Sequence, residues 1–243
     1  MAHVARLGSG HTDMAGRRRR HMGSEEGVRE RILRAAIAGF GATGFHVTSL
    51  RTIAERSGSN KPMIYYHFQG KEGLYLAAVR RLLEETAVEL RAVTEGEMPA
   101  LVQLRRFAEV YLNAFLASRP MMGTVLRELN SLSASLYQAI VEEHGQLVTT
   151  HLRRILTAGM ERGEFRRLEV EACLGGILAL LHGFLRYRRT PPEYVARAAL
   201  SQLMDYYALG LLSREALIAH LDALGETASQ PPRAAPPKTA GTS

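Results

Sequence analysis

Residues 48–71 read TSLRTIAERSGSNKPMIYYHFQGK, and this stretch decides the fold. Leu50 and Ile53 supply the apolar face of a first short helix, and a hydroxyl side chain stands just before it, where an N-cap belongs. Gly58 can adopt the positive φ of a tight turn, and Pro62 is tolerated in the first turn of the helix that follows. Two short helices across such a turn predict a helix-turn-helix, whose second helix enters the major groove of DNA.

The residues around this motif resemble the TetR family of transcriptional repressors. The resemblance includes the preceding helix at 28–40, the turn at Gly44 and Phe45, and the sequence YYHFQGKE at 65–72, so it extends over nearly 50 residues in a fixed order. It implies an all-α protein, in which an N-terminal three-helix DNA-binding head precedes a C-terminal helical domain for ligand binding and dimerisation. It also implies a regulator and not an enzyme.

Composition and the resemblance together divide the chain into four parts. We expect a disordered basic extension at 1–23, the DNA-binding head at 24–72, the helical effector-binding and dimerisation domain at 73–225, and a disordered tail rich in proline and alanine at 226–243. The run Arg17–Arg20 is either a basic arm that touches DNA phosphates or the minor groove, or a solvated extension with no such role.

The net charge of +7 is concentrated outside the body of the chain. Residues 1–23 hold five arginines against one aspartate, and the C-terminal tail holds Arg233 and Lys238 against Glu226, which leaves only +2 for the residues between them. The basic composition is therefore weak support for specific DNA binding, and the order of residues in the motif carries that prediction.

Several other classes of protein do not fit the sequence. No apolar run is long enough to cross a bilayer and no hydrophobic signal core is present, so we expect a soluble, cytoplasmic protein with no membrane partner. Cys173 is the single cysteine, which excludes an intramolecular disulfide, and no cysteine or histidine pair has the spacing of a zinc site. We therefore expect no metal and no cofactor.

An enzyme is the alternative from another class, and the residues do not support it. Cys173 lies in an apolar segment with no basic neighbour that could lower its pKa. The sequence of Glu142, Glu143 and His144 reads as an exposed polar patch, and it lacks the HExxH spacing of zinc peptidases. The chain also has no glycine-rich loop that could cradle a phosphate.

Between the two tails, every segment has the periodicity of a helix and no convincing strand is found. The apolar spacing and the helix breakers predict helices at about 28–40, 72–93, 101–115, 121–130, 133–162 and 169–188, and a last helix that begins at Pro191 and bends near Gly210 or Ser213. The helix at 72–93 joins the head directly to the body. We expect it to be the only continuous connection between an effector pocket and DNA.

The resemblance assigns DNA contacts to individual residues. The positions where the family contacts phosphates are occupied here by Thr48, Asn60, Tyr65 and Lys71. The positions that flank the base-reading face of the recognition helix are occupied by Lys61, Met63 and Tyr66. Arg51 is the candidate for a bidentate contact with guanine, with a solvated helix face as the alternative; for Arg56 we expect the solvated face.

A single head of this size reads too few bases for useful specificity, so we expect a homodimer on a palindromic operator in double-stranded DNA. In the family, the two C-terminal helices pair with their copies as a four-helix bundle. The residues expected at that interface are Gly175, Gly176, Leu178, Leu203 and Tyr207. The alternative is that both helices pack entirely within one protomer.

The helices at about 99–165 are expected to enclose a pocket for a small hydrophobic effector. Aromatic and methionine side chains cluster there, and polar side chains among apolar ones need a partner that a ligand can supply. The candidate effector-binding residues are Phe107, Tyr111, Phe115, Met122, Asn130, His151 and His182. The alternative for each of them is an ordinary place in the core or on the surface.

The function expected from these features is that of a homodimeric repressor, which binds a palindromic operator and is released by a small hydrophobic effector. Activation in place of repression fits the same residues. The main alternative is a DNA-binding regulator or architectural protein, whose body binds another protein and takes no small-molecule effector.

Overall fold

The computed structural model of the protein describes residues 12–186 and 193–228. Within these residues the chain forms eleven α-helices and no strand, so the predicted all-α fold is confirmed. The helices are α1 (Thr12–Val47), α2 (Leu50–Ser57), α3 (Lys61–Phe68), α4 (Lys71–Glu95), α5 (Ala100–Ala117), α6 (Arg119–Glu128), α7 (Ala134–His144), α8 (Thr150–Glu161), α9 (Val170–Arg186), α10 (Glu193–Leu211) and α11 (Arg214–Ala228). A 3₁₀ turn at Leu129–Ser131 follows α6, and a π-helical segment at Gly145–Thr149 joins α7 to α8.

The predicted helix-turn-helix is confirmed as α2 and α3. Ser49 is the N-cap of α2, with its hydroxyl accepting the Thr52 N–H at 3.1 Å. Gly58 ends α2 in the left-handed conformation, with φ of 62°, which a residue without Cβ adopts at little cost. Asn60 then caps α3 by accepting the Met63 N–H at 3.0 Å. Local capping by small polar side chains therefore sets the turn between the two helices.

The first helix begins earlier than the sequence predicted. Residues 12–23, expected to belong to a disordered extension, form the start of α1 in the structure, while 1–11 lie outside the described residues. Arginine, alanine and methionine are good helix formers and no proline interrupts 12–43, so the helix extends backwards from the part that packs in the head. Its regular conformation breaks at Gly44, which has φ of 90° and ψ of 171°.

The predicted helix at 133–162 is interrupted by the π-helical segment Gly145–Thr149. Its inward-facing side chains recur at every fourth residue, and these are Leu136, Ile140, His144, Val148 and Leu152. Because an α-helix has 3.6 residues per turn, a spacing of four drifts by roughly 40° at each step. The wider π turn corrects this drift and keeps one face directed at the core.

Two helices, and not α4 alone, connect the head to the body. The α4 helix runs directly from the head, as predicted. In addition, α6 packs against α1 so closely that a Cβ on Gly41 would lie 3.0 Å from Pro120 Cβ and 3.0 Å from the Met121 N. The expectation that α4 would be the only connection is therefore wrong. The short α6 brings the body into direct contact with α1, the helix that precedes the motif.

The C-terminal helices follow the predicted order. The expected start at Pro191 lies outside the described residues, and the expected bend falls at Leu212 and Ser213, between α10 and α11. Leu212 there forms an isolated antiparallel bridge with Phe165. Of the predicted C-terminal tail, 226–228 belong to α11, and 229–243 lie outside the described residues. Among the helices that the structure describes, none is long and apolar enough to span a bilayer.

Candidate functional site

The recognition helix α3 presents a polar and aromatic surface to solvent. Tyr65 and Tyr66 are 57% and 70% exposed, although large aromatic side chains are usually buried to a large extent in a folded protein. Lys61 is exposed on the first turn of the same helix, and Met63 is half-buried beside it. Asn60 is exposed, and because its Oδ1 already caps the helix, its amide N–H groups remain as donors. Four of these five residues are exposed, and their hydroxyl, amide and ammonium groups suit phosphate and base contacts.

Arg51 lies on the exposed side of α2, paired with a carboxylate. Its Nε donates to Glu55 Oε1 at 2.8 Å, and this hydrogen bond raises the pKa of the guanidinium above its ordinary value. The fork of donors on Arg51 is therefore held along the helix by a residue one turn further on. Glu55 was missed as a site residue, although its spacing of four from Arg51 could have indicated the pair.

Thr48 and Lys71 bond backbone carbonyls at the end of α1, Thr48 from a buried position and Lys71 from a half-exposed one. Thr48 is 4% exposed, with Oγ1 lying 2.7 Å from the Gly44 carbonyl oxygen and 3.0 Å from that of Gly39. Lys71 Nζ donates to the His46 carbonyl at 3.1 Å, and partial burial lowers its pKa. The Thr48 hydroxyl is therefore buried, while Lys71 remains half-exposed. Both of them hold the end of α1 in place.

Glu128, at the end of α6, binds the head directly. Its Oε2 accepts the backbone N–H of Phe45 at 2.7 Å, across 83 residues of sequence. Gly44 leaves the space that this carboxylate fills, since a Cβ at that position would clash with the carboxyl group. The Glu128 carboxylate also acts on Lys71 electrostatically. Its negative charge partly offsets the lowering of the Lys71 pKa by burial. We call the Glu128 carboxylate, Gly44 and Phe45 together the Glu128 contact.

The body contains a cavity of about 510 Å³ between α4, α6, α7 and α9. This volume lies within the range of pockets that hold small ligands. Its walls are mainly apolar, and the apolar lining residues are Val79, Leu83, Met122, Val125, Leu126, Leu129, Ile140, Val141, Leu174, Leu178 and Ala179. Arg153 and Glu171 also line it, and they form a two-bond ion pair at 2.8 and 3.0 Å that is largely exposed.

One part of the cavity lining is polar and buried. The hydroxyl of Tyr111 lies 2.7 Å from His182 Nε2 and 3.1 Å from His144 Nε2, and His144 Nδ1 lies 3.2 Å from Thr149 Oγ1. Burial, and secondly the neighbouring His182, lowers the pKa of His144 to about 4. We call these four side chains the Tyr111 cluster. At neutral pH the His144 imidazole is therefore uncharged.

Three of the seven predicted effector-binding residues line this cavity: Tyr111, Met122 and His182. Phe107 is fully buried and stacks on Tyr111 with ring centroids 6.1 Å apart, and Phe115 lines only a small adjacent void. Asn130 is exposed in the turn after α6. His151 is buried elsewhere, where Nδ1 bonds the Thr94 hydroxyl at 3.1 Å. The structure therefore places these four outside the cavity lining, because helical spacing identifies buried faces but not which of them borders a void.

His144 was misread as part of an exposed polar patch, and the structure buries it in the Tyr111 cluster. The spacing of four that relates it to Leu136 and Ile140 was the signal that could have placed it inside. A second cavity of about 500 Å³ lies at the other end of α4, against Met98 and Arg154. It borders neither α6 nor the head, so it cannot act through the Glu128 contact.

The predicted dimer residues divide into two groups. Gly176 faces Tyr207 of the same protomer, whose hydroxyl donates to the Cys173 carbonyl at 3.1 Å, so this pair holds α9 against α10. Leu178 is half-buried and lines the cavity. Gly175 and Leu203 are exposed, whereas Gly176, Leu178 and Tyr207 are half-buried within the protomer.

No group of side chains in the described part of the chain could hold a metal ion. Cys173 is buried, and burial raises the pKa of its thiol. A thiol in that state is a weak nucleophile.

The sequence matches two families of known proteins. Residues 32–78 match the family described as bacterial regulatory proteins, tetR family, and residues 97–187 match the family described as tetracyclin repressor-like, C-terminal domain. The first match contains the helix-turn-helix and the Glu128-binding turn at Gly44. The second contains every residue that lines the large cavity outside α4.

Individual relatives match either a short part of the chain or most of it. The HTH-type transcriptional regulator RutR of Escherichia coli K12 is 41% identical over 68 residues, which are 28% of this chain and 32% of RutR, so the chain spans about a third of that relative. The regulatory protein RaaS of Mycobacterium tuberculosis is 29% identical over 77% of this chain and 88% of its own length.

Solved structures share the fold. The regulator PfmR of Thermus thermophilus has a TM-score of 0.61 and 27% identity, covering 76% of this chain and all of PfmR. FadR of Bacillus subtilis, solved in complex with stearoyl-CoA, has a TM-score of 0.68 over 75% of this chain and 98% of its own, but at 18% identity it shows the fold alone.

Proposed function

The chain belongs to the TetR family of transcriptional regulators, and from this premise we propose that it is a homodimeric, cytoplasmic repressor that binds a palindromic operator and is released by a small hydrophobic effector. The exposed surface of α3 would enter the major groove, and two copies would read half-sites one helical turn apart, about 34–36 Å. The exposed tyrosines and Lys61 supply hydrogen bonds and charge for that contact.

One observation carries the proposal: α6 borders the cavity and binds the head. Met122, Leu126 and Leu129 line the cavity, while Glu128 on the same turn accepts the Phe45 N–H of the head. An effector that fills the cavity must contact α6. It can shift DNA binding only if it prefers one of two positions of that helix. We propose that effector binding moves α6 and, with α4, changes the separation of the two heads.

The lining of the cavity supports a hydrophobic effector. Among the described residues that line the cavity, Arg153 is the only arginine or lysine, and it is already paired with Glu171. A phosphate would therefore find no unpaired cationic side chain. Stearoyl-CoA in the FadR structure is a ligand of that protein, and its acyl chain is chemically close to what apolar walls accept. A nucleotide or a sugar phosphate is not expected to bind here.

The test is operator binding with and without ligand. The operator is first selected from a pool of random duplexes, and its affinity is then measured across a panel of hydrophobic metabolites. Ligand affinity is measured both with and without the operator, since ligand and operator must weaken each other by the same factor. A ligand that occupies the cavity and leaves operator affinity unchanged would contradict release by that ligand.

Arg51→Ala is expected to weaken operator binding by about 1–3 kcal/mol and to relax base preference at one position in each half-site, because a bidentate contact with guanine is lost. The measurement is repeated selection of the bound sequence with each variant. Arg56→Ala is the matched control, since Arg56 is also exposed on α2 and is expected to be solvated. An unchanged selected sequence for Arg51→Ala would exclude base reading by that residue.

A second candidate function is a DNA-binding protein whose body binds another protein. The observation in its favour is the apolar side of α11, where Ile218, Leu221 and Leu224 are 51%, 54% and 53% exposed. Binding to operator and to random duplex, compared over a range of salt concentrations, separates an architectural protein from a specific regulator. A regulator keeps a large preference for its operator, whereas an architectural protein loses both kinds of binding together.

A further inference from the structure

The Tyr111 cluster places three ring side chains at one point of an otherwise apolar cavity. Tyr111 comes from α5, His144 from the end of α7 and His182 from α9, so three separate helices converge there. We propose that this cluster recognises an uncharged hydroxyl group on a hydrophobic effector and that the cavity discriminates against the corresponding carboxylate. The inference rests on the proposed function in taking this cavity as the effector site.

The hydrogen bonds of the cluster form a directed chain. The Tyr111 hydroxyl has one proton and lies between two Nε2 atoms, at 2.7 Å from His182 and 3.1 Å from His144. One imidazole must therefore donate to the phenol oxygen while the other accepts from it. The Thr149 hydroxyl, 3.2 Å from His144 Nδ1, can complete either direction. A phenol oxygen has two lone pairs, so one remains for a donor on the ligand.

The His144 imidazole is uncharged at neutral pH, and its surroundings keep it so. Burial and His182 hold the pKa of His144 at about 4, so a protonated imidazole at pH 7 is disfavoured by roughly a thousandfold. The side chains that α4 and α6 present to the cavity are all apolar. The α5 helix contributes Tyr111 to the cluster, and α7 contributes Tyr137 to the cavity lining.

The remaining charged side chains in the described lining neutralise each other. Arg153 of α8 and Glu171 of α9 form two hydrogen bonds and are 44% and 59% exposed, so they lie toward solvent. A carboxylate at the cluster would therefore have to be protonated itself, or bring a proton to an imidazole. An alcohol needs no such proton, and its hydroxyl can donate to the remaining lone pair of the Tyr111 oxygen. The charge balance thus favours an uncharged polar group.

The experiment compares molecules that share a skeleton and differ in one group. The probes are 1-decanol against decanoate, and 4-tert-butylbenzyl alcohol against 4-tert-butylbenzoate, with binding to the full-length dimer measured by calorimetry. For at least one pair we expect the alcohol to bind about a hundredfold more tightly near neutral pH. We also expect carboxylate affinity to rise about tenfold for each unit by which the pH is lowered, because one proton is taken up, while alcohol affinity stays constant.

Two phenol-to-phenyl variants locate the effect. Tyr111→Phe keeps the ring and removes the hydroxyl, so alcohol affinity is expected to fall about tenfold. Tyr75→Phe is the matched control, because Tyr75 is fully buried in α4, does not line the cavity, and its hydroxyl has no partner in the described residues. It is expected to leave alcohol affinity unchanged.

Three results would overturn the inference: carboxylates that bind as tightly as their alcohols, no binding by either alcohol, or an equal loss in both phenyl variants. The same probes separate this outcome from that of the proposed function. An alcohol that binds through Tyr111 without releasing the operator supports the recognition chemistry and contradicts release. A carboxylate that binds more tightly than its alcohol and releases the operator contradicts the recognition chemistry and supports release.

Discussion

Leu203→Glu is expected to convert the protein to a monomer and to weaken binding to a palindromic operator by at least about a hundredfold, because a single head retains only half of the contacts. Leu203 is 37% exposed on α10, and Tyr206, three residues further on, is 77% exposed. A glutamate buried there in a dimer interface would have no partner for its charge. Sedimentation velocity and operator binding measure the two effects.

The control for Leu203→Glu is Val88→Glu, which adds the same charge at a valine that is 70% exposed on α4. It is expected to remain dimeric and to bind the operator as the wild type does. A charge at Gly176 is unsuitable for this purpose, because Gly176 faces Tyr207 of its own protomer and the variant would disturb the fold. A wild-type protein that sediments as a monomer at micromolar concentration would exclude the dimer itself.

Gly44→Ala is expected to lower the free energy of unfolding by about 2–5 kcal/mol, from two separate sources. The φ of 90° is strained for any residue with a Cβ, and that Cβ would also collide with the Glu128 carboxylate. The Phe45 N–H would then lose its acceptor at 2.7 Å. Urea denaturation measures the change, and operator binding shows whether the head is still held in position.

Two further variants separate these sources. Gly58→Ala is the control for strain alone, since φ is 62° and no atom lies within 4 Å of the added Cβ; about 1–2 kcal/mol is expected. In Gly44→Ala combined with Glu128→Ala the collision is removed, so the loss should be smaller than the sum of the single losses by about 0.5–3 kcal/mol. Additive losses would mean that the Glu128 contact does not depend on Gly44.

The exposed surface of the helix-turn-helix was the most predictable part of the molecule. Asn60, Lys61, Tyr65 and Tyr66 lie on the exposed face of α3, where their positions in the motif predicted them. The cap at Ser49 and the left-handed Gly58 also follow from neighbours within three or four residues. Such short-range interactions can be predicted from the local sequence, because a cap or a turn needs only the neighbouring residues.

The ligand cavity was much less predictable. Aromatic and methionine residues on α5 and α6 were identified correctly as interior, yet Phe107 and Phe115 fill the core while Met122 borders the cavity. A side chain that fills the core and one that borders a cavity both lie on the inward face of their helix. The difference depends on how far apart the helices stand, which no single helix specifies.

The sequence by itself determined the all-α class, the helix-turn-helix with its caps, and the family, since these depend on periodicity and residue order over short windows. Only the tertiary structure decided which polar side chains turn inward. Thr48 and Lys71 meet backbone carbonyls of α1, and Tyr111 meets His182 across 71 residues of sequence. Glu128 reaches Phe45 across 83 residues. Buried polar groups must find partners, and at such separations the partner is chosen by helix packing and not by spacing along the chain.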